Sequence, residues 1–169
     1  ADRAFRRAAI LYAASLGELH PDHADCLSSL GTLLLSRGQA QRAVPFHREA
    51  RRILAASVGP ADDGYSTAVN NLAASLRAAG DPAAALPLYK ESLELKRKMR
   101  GEKHPLYALA LNNLGSCLAE MGMPRQAVPL YEKALAVREA ALGKRHPDVA
   151  QSLGNLASAR QSPTIWDHA

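Results

Sequence analysis

Aromatic residues are scarce in this 169-residue sequence, at 5%: one Trp, five Tyr and two Phe. A core with so few large rings must be filled by aliphatic and small side chains. Abundant alanine and leucine supply them, in a composition that favours closely packed helices. Cysteine is nearly absent too. Cys26 and Cys117 stand far apart and read as small buried thiols of a reducing compartment, so the expected location is cytoplasmic. Without a Cys-x-x-Cys pair there is no zinc signature. No run approaches the roughly 18 apolar residues of a membrane span, and no signal peptide is recognisable. The chain opens at Ala1 without a methionine and is expected to be excised from something longer.

Charge is balanced loosely toward the basic side, with a net +5 and a pI near 9.5. That suits an acidic partner. No basic run and no interleaving of arginine with aromatics points to nucleic acid. Nucleophile elbow, phosphate loop, dinucleotide fingerprint and His-Glu-x-x-His helix are all missing. The carboxylates are scattered at spacings of solvated helix faces; Lys90, Glu91, Glu94 and Arg97 read as surface pairs. The chain is therefore read as a non-enzyme without cofactor. His20, His104 and His146 recur in equivalent loops of different repeats and cannot converge within about 2 Å of one ion. His20 and His23 offer only two ligands, so no metal site is expected.

What the sequence does contain is a register. Sliding the chain along itself by an offset of 42, the step from Gly17 to Gly59, aligns it without a gap. Gly17, Gly59, Gly101 and Gly143 then share a column, as do Leu30, Leu72, Leu114 and Leu156. The following columns are Gly31/Ala73/Gly115/Ala157, Gly38/Gly80/Gly122, Ala43/Ala85/Ala127 and Pro45/Pro87/Pro129. His20-Pro21, His104-Pro105 and His146-Pro147 align, with Asp62-Asp63 in the second repeat.

Physical chemistry turns the columns into helices. Leu111, Leu114, Leu118 and Met121 recur at three- to four-residue spacing and predict a helix over 106–121. Gly38, Gly80 and Gly122 end such helices in the left-handed cap conformation. Asp81-Pro82 reads as the cap and first residue of a partner helix, whereas Met123-Pro124 keeps only the proline. That second helix runs from Pro124 to about Ala141, with Ala127, Leu130, Ala134 and Val137 inward and Pro129 removing one donor a turn in. Each unit is thus an antiparallel pair, helix A then helix B, and stacking of units supplies the core. Residues 1–160 form the array: a half repeat 1–17, full repeats 18–59, 60–101 and 102–143, and a final A helix within 144–160. Residues 161–169 leave the pattern, Pro163 falling in the column of Met121.

The small residue after Leu, the interhelix Gly and the B-helix Ala reproduce the tetratricopeptide pattern. That unit is usually about 34 residues long; here the period of 42 makes it longer. Helical HEAT units are of similar length but lack this Gly/Ala spacing. The stretch Leu111-Asn112-Asn113-Leu114-Gly115, with Val137-Arg138-Glu139, Leu142-Gly143 and His146-Pro147-Asp148-Val149-Ala150, resembles the repeats of kinesin light chains and related scaffolds over residues 1–160. The resemblance implies an all-α, right-handed superhelical solenoid of helix pairs whose A helices line a peptide-holding groove. It implies that Asn71, Asn113 and Asn155 hydrogen-bond a ligand's backbone, with Ser29 in the first repeat. It implies further that basic residues late in helix B (Lys96 and Arg138, with Leu54 in the first repeat) and Arg77 late in helix A meet acidic side chains. Repeated Asn inside a helix is mildly unfavourable and needs a reason. Either the amide meets an extended peptide, with Asn70 and Asn112 sharing the task, or it bonds the neighbouring repeat or faces water. For Lys96, Arg138 and Arg77 the alternative is solvated surface charge. The expected partner is a short acidic segment with an aromatic or aliphatic anchor. Self-association through the open repeat ends or the tail is the competing reading. Trp166 and Asp167 in the tail are similar to the kind of segment kinesin light chains take. They read as a pseudo-ligand, as a cover for the last A helix, or as a disordered end.

Overall fold

The computed structural model describes residues 2–161. Eight α-helices and no strand occur among the described residues: α1 (Asp2–Leu16), α2 (Pro21–Ser36), α3 (Ala40–Ser57), α4 (Asp63–Ala78), α5 (Pro82–Arg100), α6 (Pro105–Glu120), α7 (Pro124–Leu142) and α8 (Pro147–Gln161). The A helices α2, α4, α6 and α8 begin at Pro21, Asp63, Pro105 and Pro147, evenly spaced along the chain. The chain divides into two compact units, residues 1–88 and 89–169, the boundary falling inside α5.

Every interhelix turn is built on a glycine with positive φ: Gly17, Gly38, Gly59, Gly80, Gly101, Gly122 and Gly143, evenly spaced and at φ between 70° and 96°. Side chains rarely adopt that conformation. At the A-helix ends it closes a Schellman motif. In α2, Gly38 N–H donates to the Leu35 carbonyl and Gln39 N–H to that of Leu34, both at 2.9 Å. The same pair of bonds recurs at Gly80/Asp81 and Gly122/Met123. Helix starts are capped by two chemistries. The imidazole Nδ1 of His20, His104 and His146 accepts the N–H two residues on, at 3.1–3.2 Å. Where the second repeat lacks histidine, Asp62 accepts from Gly64 N–H at 2.7 Å. The His-Pro pair is thus a capping device. Asp81 likewise caps α5 through Ala84 N–H at 2.9 Å, and Met123 makes no side-chain cap bond. Pro45, Pro87 and Pro129 lie within α3, α5 and α7, each of which continues past its proline.

In the first unit α1 packs on α2, α2 on α3 and α3 on α4. Leu30, Leu34 and Ala43 form a buried cluster there, with Leu35 and Phe46 against it. In the second unit α6 packs on α7 and α7 on α8. Its cluster is Tyr107, Ala108, Leu111 and Ala134, joined by Leu93, Leu130 and Val137. Each fully buried large apolar side chain contributes about 1.5–3 kcal/mol. The glycine after the column leucine permits the closest approach. A Cβ on Gly115 would lie 2.8 Å from the Tyr131 ring, and one on Gly31 would lie 2.5 Å from the His47 imidazole.

Candidate functional site

The asparagine column lies on the A helices, and in each unit it links one A helix to another. In the first, Asn71 Nδ2 donates to Ser28 Oγ across 3.3 Å. In the second, Asn155 Nδ2 donates to Asn112 Oδ1 across 3.1 Å. The two bonds make the same step, 43 residues back along the chain. Asn112 is buried, whereas Asn70, Asn71, Asn113 and Asn155 are half-buried. The second N–H and the Oδ1 of Asn71 and of Asn155 make no other hydrogen bond among the described residues. A carboxamide offers one acceptor group and two N–H donors, so each keeps one of each polarity after bridging its neighbour.

The basic candidates do not stand in solvent. Lys96 is 8% exposed and Arg138 only 1%. Arg138 Nη1 donates to the Asp148 carbonyl at 2.7 Å, to Ser152 Oγ at 2.8 Å and to Gln151 Oε1 at 3.2 Å. Its guanidinium thereby ties α7 to the first turns of α8. Burial pushes its pKa down, and the charge of Asp148 opposes that; an arginine nonetheless remains charged in a protein. Arg77 is half-buried in the last turn of α4. Trp166 and Asp167 lie outside the described residues.

Beneath Asn71 sits a group that no motif announced. His47, fully buried, takes the helix-B position that Tyr131 takes in the third repeat, its ring covering Gly31 as the tyrosine covers Gly115. Its Nε2 is 3.1 Å from the Ser28 carbonyl and its Nδ1 2.5 Å from Ser75 Oγ. A carbonyl only accepts, so a neutral ring carries its proton on Nε2 and accepts from Ser75 at Nδ1. Ser75 has a single hydroxyl proton, and the Asn71 carbonyl, an acceptor 2.9 Å away, competes with Nδ1 for it. Burial lowers the pKa of His47, partly offset by the bond to Ser28. Against this floor opens a surface cavity of about 560 Å³, lined by Asp25, Ser28, Ser29, Thr32 and Asn71. In the second unit the positions matching Asp22 and Asp25 are Leu106 and Leu109, 36% and 39% exposed, on the same face of α6 as Asn113.

Two tetratricopeptide repeat models match the sequence, over residues 23–63 and 65–140, and jointly span more than half of it. The chain belongs to the tetratricopeptide repeat family. No curated relative matches the sequence. Among solved structures it is similar to the kinesin-light-chain TPR-like repeats of Podosopora anserina, at 22% identity and a TM-score of 0.84, over 98% of this chain and 78% of that one. It is also similar to BtubC (BKLC) of P. vanneervenii, at 28% identity and a TM-score of 0.78, over 92% of this chain and 65% of that one. The apo form of RapI gives a TM-score of 0.78 at 18% identity, over 98% of this chain and 44% of RapI. The kinesin-light-chain likeness read from the sequence thus extends to the fold. Tetratricopeptide arrays are in general non-enzymatic protein-interaction scaffolds, and this chain has their repeat architecture. No helix among the described residues is long and apolar enough to cross a membrane. No group of three His, Cys, Asp or Glu side chains among them is placed to hold a metal ion.

Proposed function

We propose that this tetratricopeptide array binds short extended segments of partner proteins along the exposed A-helix faces of each unit. The observation that carries the reading is the asparagine column. After bridging neighbouring A helices, Asn71 and Asn155 still present one donor and one acceptor from a half-buried position, the pair that an extended backbone requires. Leu106 and Leu109 supply an exposed apolar surface for an aliphatic or aromatic anchor. Arg77, half-buried in the last turn of α4, is the candidate to meet an acidic residue of a ligand in the first unit. Affinity is modest because the peptide is ordered on binding. The test compares binding of fluorescent peptides to the wild-type chain and to an Asn71→Ala/Asn113→Ala double variant. Saturable binding lost in the variant supports the reading, and binding unaffected by the variant refutes it.

One observation favours a second reading, self-association. Leu11 of α1 is 58% exposed where its counterpart Ile53 is 0%, and Leu153 of α8 is 49% exposed where Leu111 is 2%. These helices carry on their surfaces residues that the intact pairs bury. Sedimentation velocity over a concentration series decides it: a coefficient independent of concentration removes this reading.

A further inference from the structure

We infer that the A-helix face of the first unit selects a basic residue of the bound segment, and that Asp25 is the carboxylate that receives it. This rests on the peptide-binding reading above and places a basic residue of the segment at Asp25, apart from the acidic one assigned to Arg77.

The cavity against Asn71 is lined by Asp25, Ser28, Ser29, Thr32 and Asn71, so its only formal charge is negative. An adjoining cavity of about 380 Å³ shares Asp25 and Ser29 and adds a second carboxylate, Asp22. Asp22 lies 3.9 Å from His20 Nδ1, a nitrogen that accepts the Asp22 N–H and so has no proton to share with the carboxylate. Asp25 is exposed and enters no ion pair among the described residues. The hydroxyls are arranged to accept: Ser28 Oγ already takes the Asn71 amide, and the Thr32 hydroxyl donates its proton to the Ser28 carbonyl at 3.0 Å. An ammonium or guanidinium brings only donors. It would find a carboxylate and hydroxyl oxygens here, beside the amide that holds the backbone.

Positive charge does not neutralise the site from below. His47, the titratable group under the floor, is driven toward its neutral form by burial. Position 54, where later repeats place Lys96 and Arg138, is the buried Leu54. Arg77 stands ten residues beyond Thr67, the counterpart of Asp25 on α4, on the order of 15 Å along the helix. The net charge of +5 disfavours basic ligands only weakly at physiological salt, where charges more than about 8 Å away are screened. The later A helices carry Thr67, Leu109 and Gln151 at this position, so the preference for a basic residue belongs to the first unit alone.

The experiment uses the full chain and short fluorescent Ala/Ser peptides with one leucine and a central Lys-Lys, Gln-Gln or Glu-Glu pair, read by anisotropy. The Lys-Lys peptide is expected to bind about two- to fivefold more tightly than Gln-Gln, the range of one exposed ion pair. High salt and Asp25→Asn should each abolish that advantage, and Asn71→Ala should weaken all three peptides alike. If Glu-Glu binds best, or if the Lys-Lys advantage survives Asp25→Asn while binding still needs Asn71, this inference fails and the groove stands. If no peptide binds saturably, or Asn71→Ala changes nothing, the peptide-binding reading fails and this one with it.

Discussion

Three glycines on three A helices make one substitution test the packing in graded fashion. Replacing glycine by alanine inside a helix stabilises it by about 0.5–1 kcal/mol, because the unfolded chain loses freedom. At Gly154 of α8 an added Cβ meets nothing within 4 Å among the described residues, so Gly154→Ala should deliver that gain. At Gly115 the same methyl would lie 2.8 Å from Tyr131 Cε1 and 3.1 Å from Cδ1 and Cζ. The ring is buried, and its hydroxyl donates to Ser116 Oγ at 3.1 Å, so it has little room to yield. Overpacking of this kind costs about 1–3 kcal/mol, leaving Gly115→Ala destabilised by up to about 2 kcal/mol after the helical gain. Gly31→Ala should be worst. Three His47 ring atoms would lie at 2.5–2.8 Å, and moving the ring forfeits bonds to Ser28 and Ser75 worth about 1 kcal/mol each. Thermal unfolding followed by circular dichroism reads these as shifts of about 2–4 °C per kcal/mol. Gly115 and Gly154 belong to the same unit, so their comparison is like for like. If Gly115→Ala raised the midpoint as much as Gly154→Ala, the close approach of the Tyr131 ring to α6 would be wrong.

Further outcomes follow from single buried groups. His47 has a folded-state pKa below its unfolded value of about 6.5. The unfolded chain therefore binds the proton first, and this stability, complete above about pH 6.5, is lost as pH falls toward the folded pKa. Urea midpoints across that range should fall less steeply in His47→Tyr, which installs the residue of the third repeat; identical slopes would show that His47 does not titrate differently on folding. The Ser66 hydroxyl is buried without a hydrogen-bond partner among the described residues, at a position where Ala24 and Ala108 are fully buried. Ser66→Ala should gain about 1 kcal/mol in chemical denaturation, and a loss would mean that the hydroxyl is satisfied. Arg138→Ala removes three bonds to α8 and should cost about 2–3 kcal/mol. Hydrogen exchange should then rise across residues 147–161 and leave α6 protected; uniform exchange behaviour would argue against a local tie.

Much of the architecture was legible because a strict period leaves few alternatives. The register placed the helix starts near Pro21, Asp63, Pro105 and Pro147, and the glycine columns marked the turns that φ now defines. Periodicity assigns a residue to a face but does not name its partner, and there the site escaped. Asn71 and Asn155 could be placed on one face, yet only in the folded chain do their amides cross to the preceding A helix. Arg138 reads from the sequence as a ligand contact or as a solvated cation, because arginine is mostly exposed; the carbonyl of Asp148 and the buried Ser152 at the start of α8 draw it inside. His47 gave the weakest signal of all. Its position is tyrosine in the next two repeats, and that single departure from the register was the available clue to the network under Asn71.

The turn glycines impose a rule on the length of this chain. They recur once per helix, while the faces of the helices recur once per pair. Excising one whole pair between equivalent positions, such as Gly59 and Gly101, would leave every turn and every alternation of A with B in order. Excising a single helix with its turn, as between Gly59 and Gly80, would preserve each remaining turn yet join two helices of the same kind. Two B faces would then compete for one A surface. The array can therefore be shortened or extended only by whole pairs, and a half-step change would be read by the chain as a misfold and not as a shorter protein.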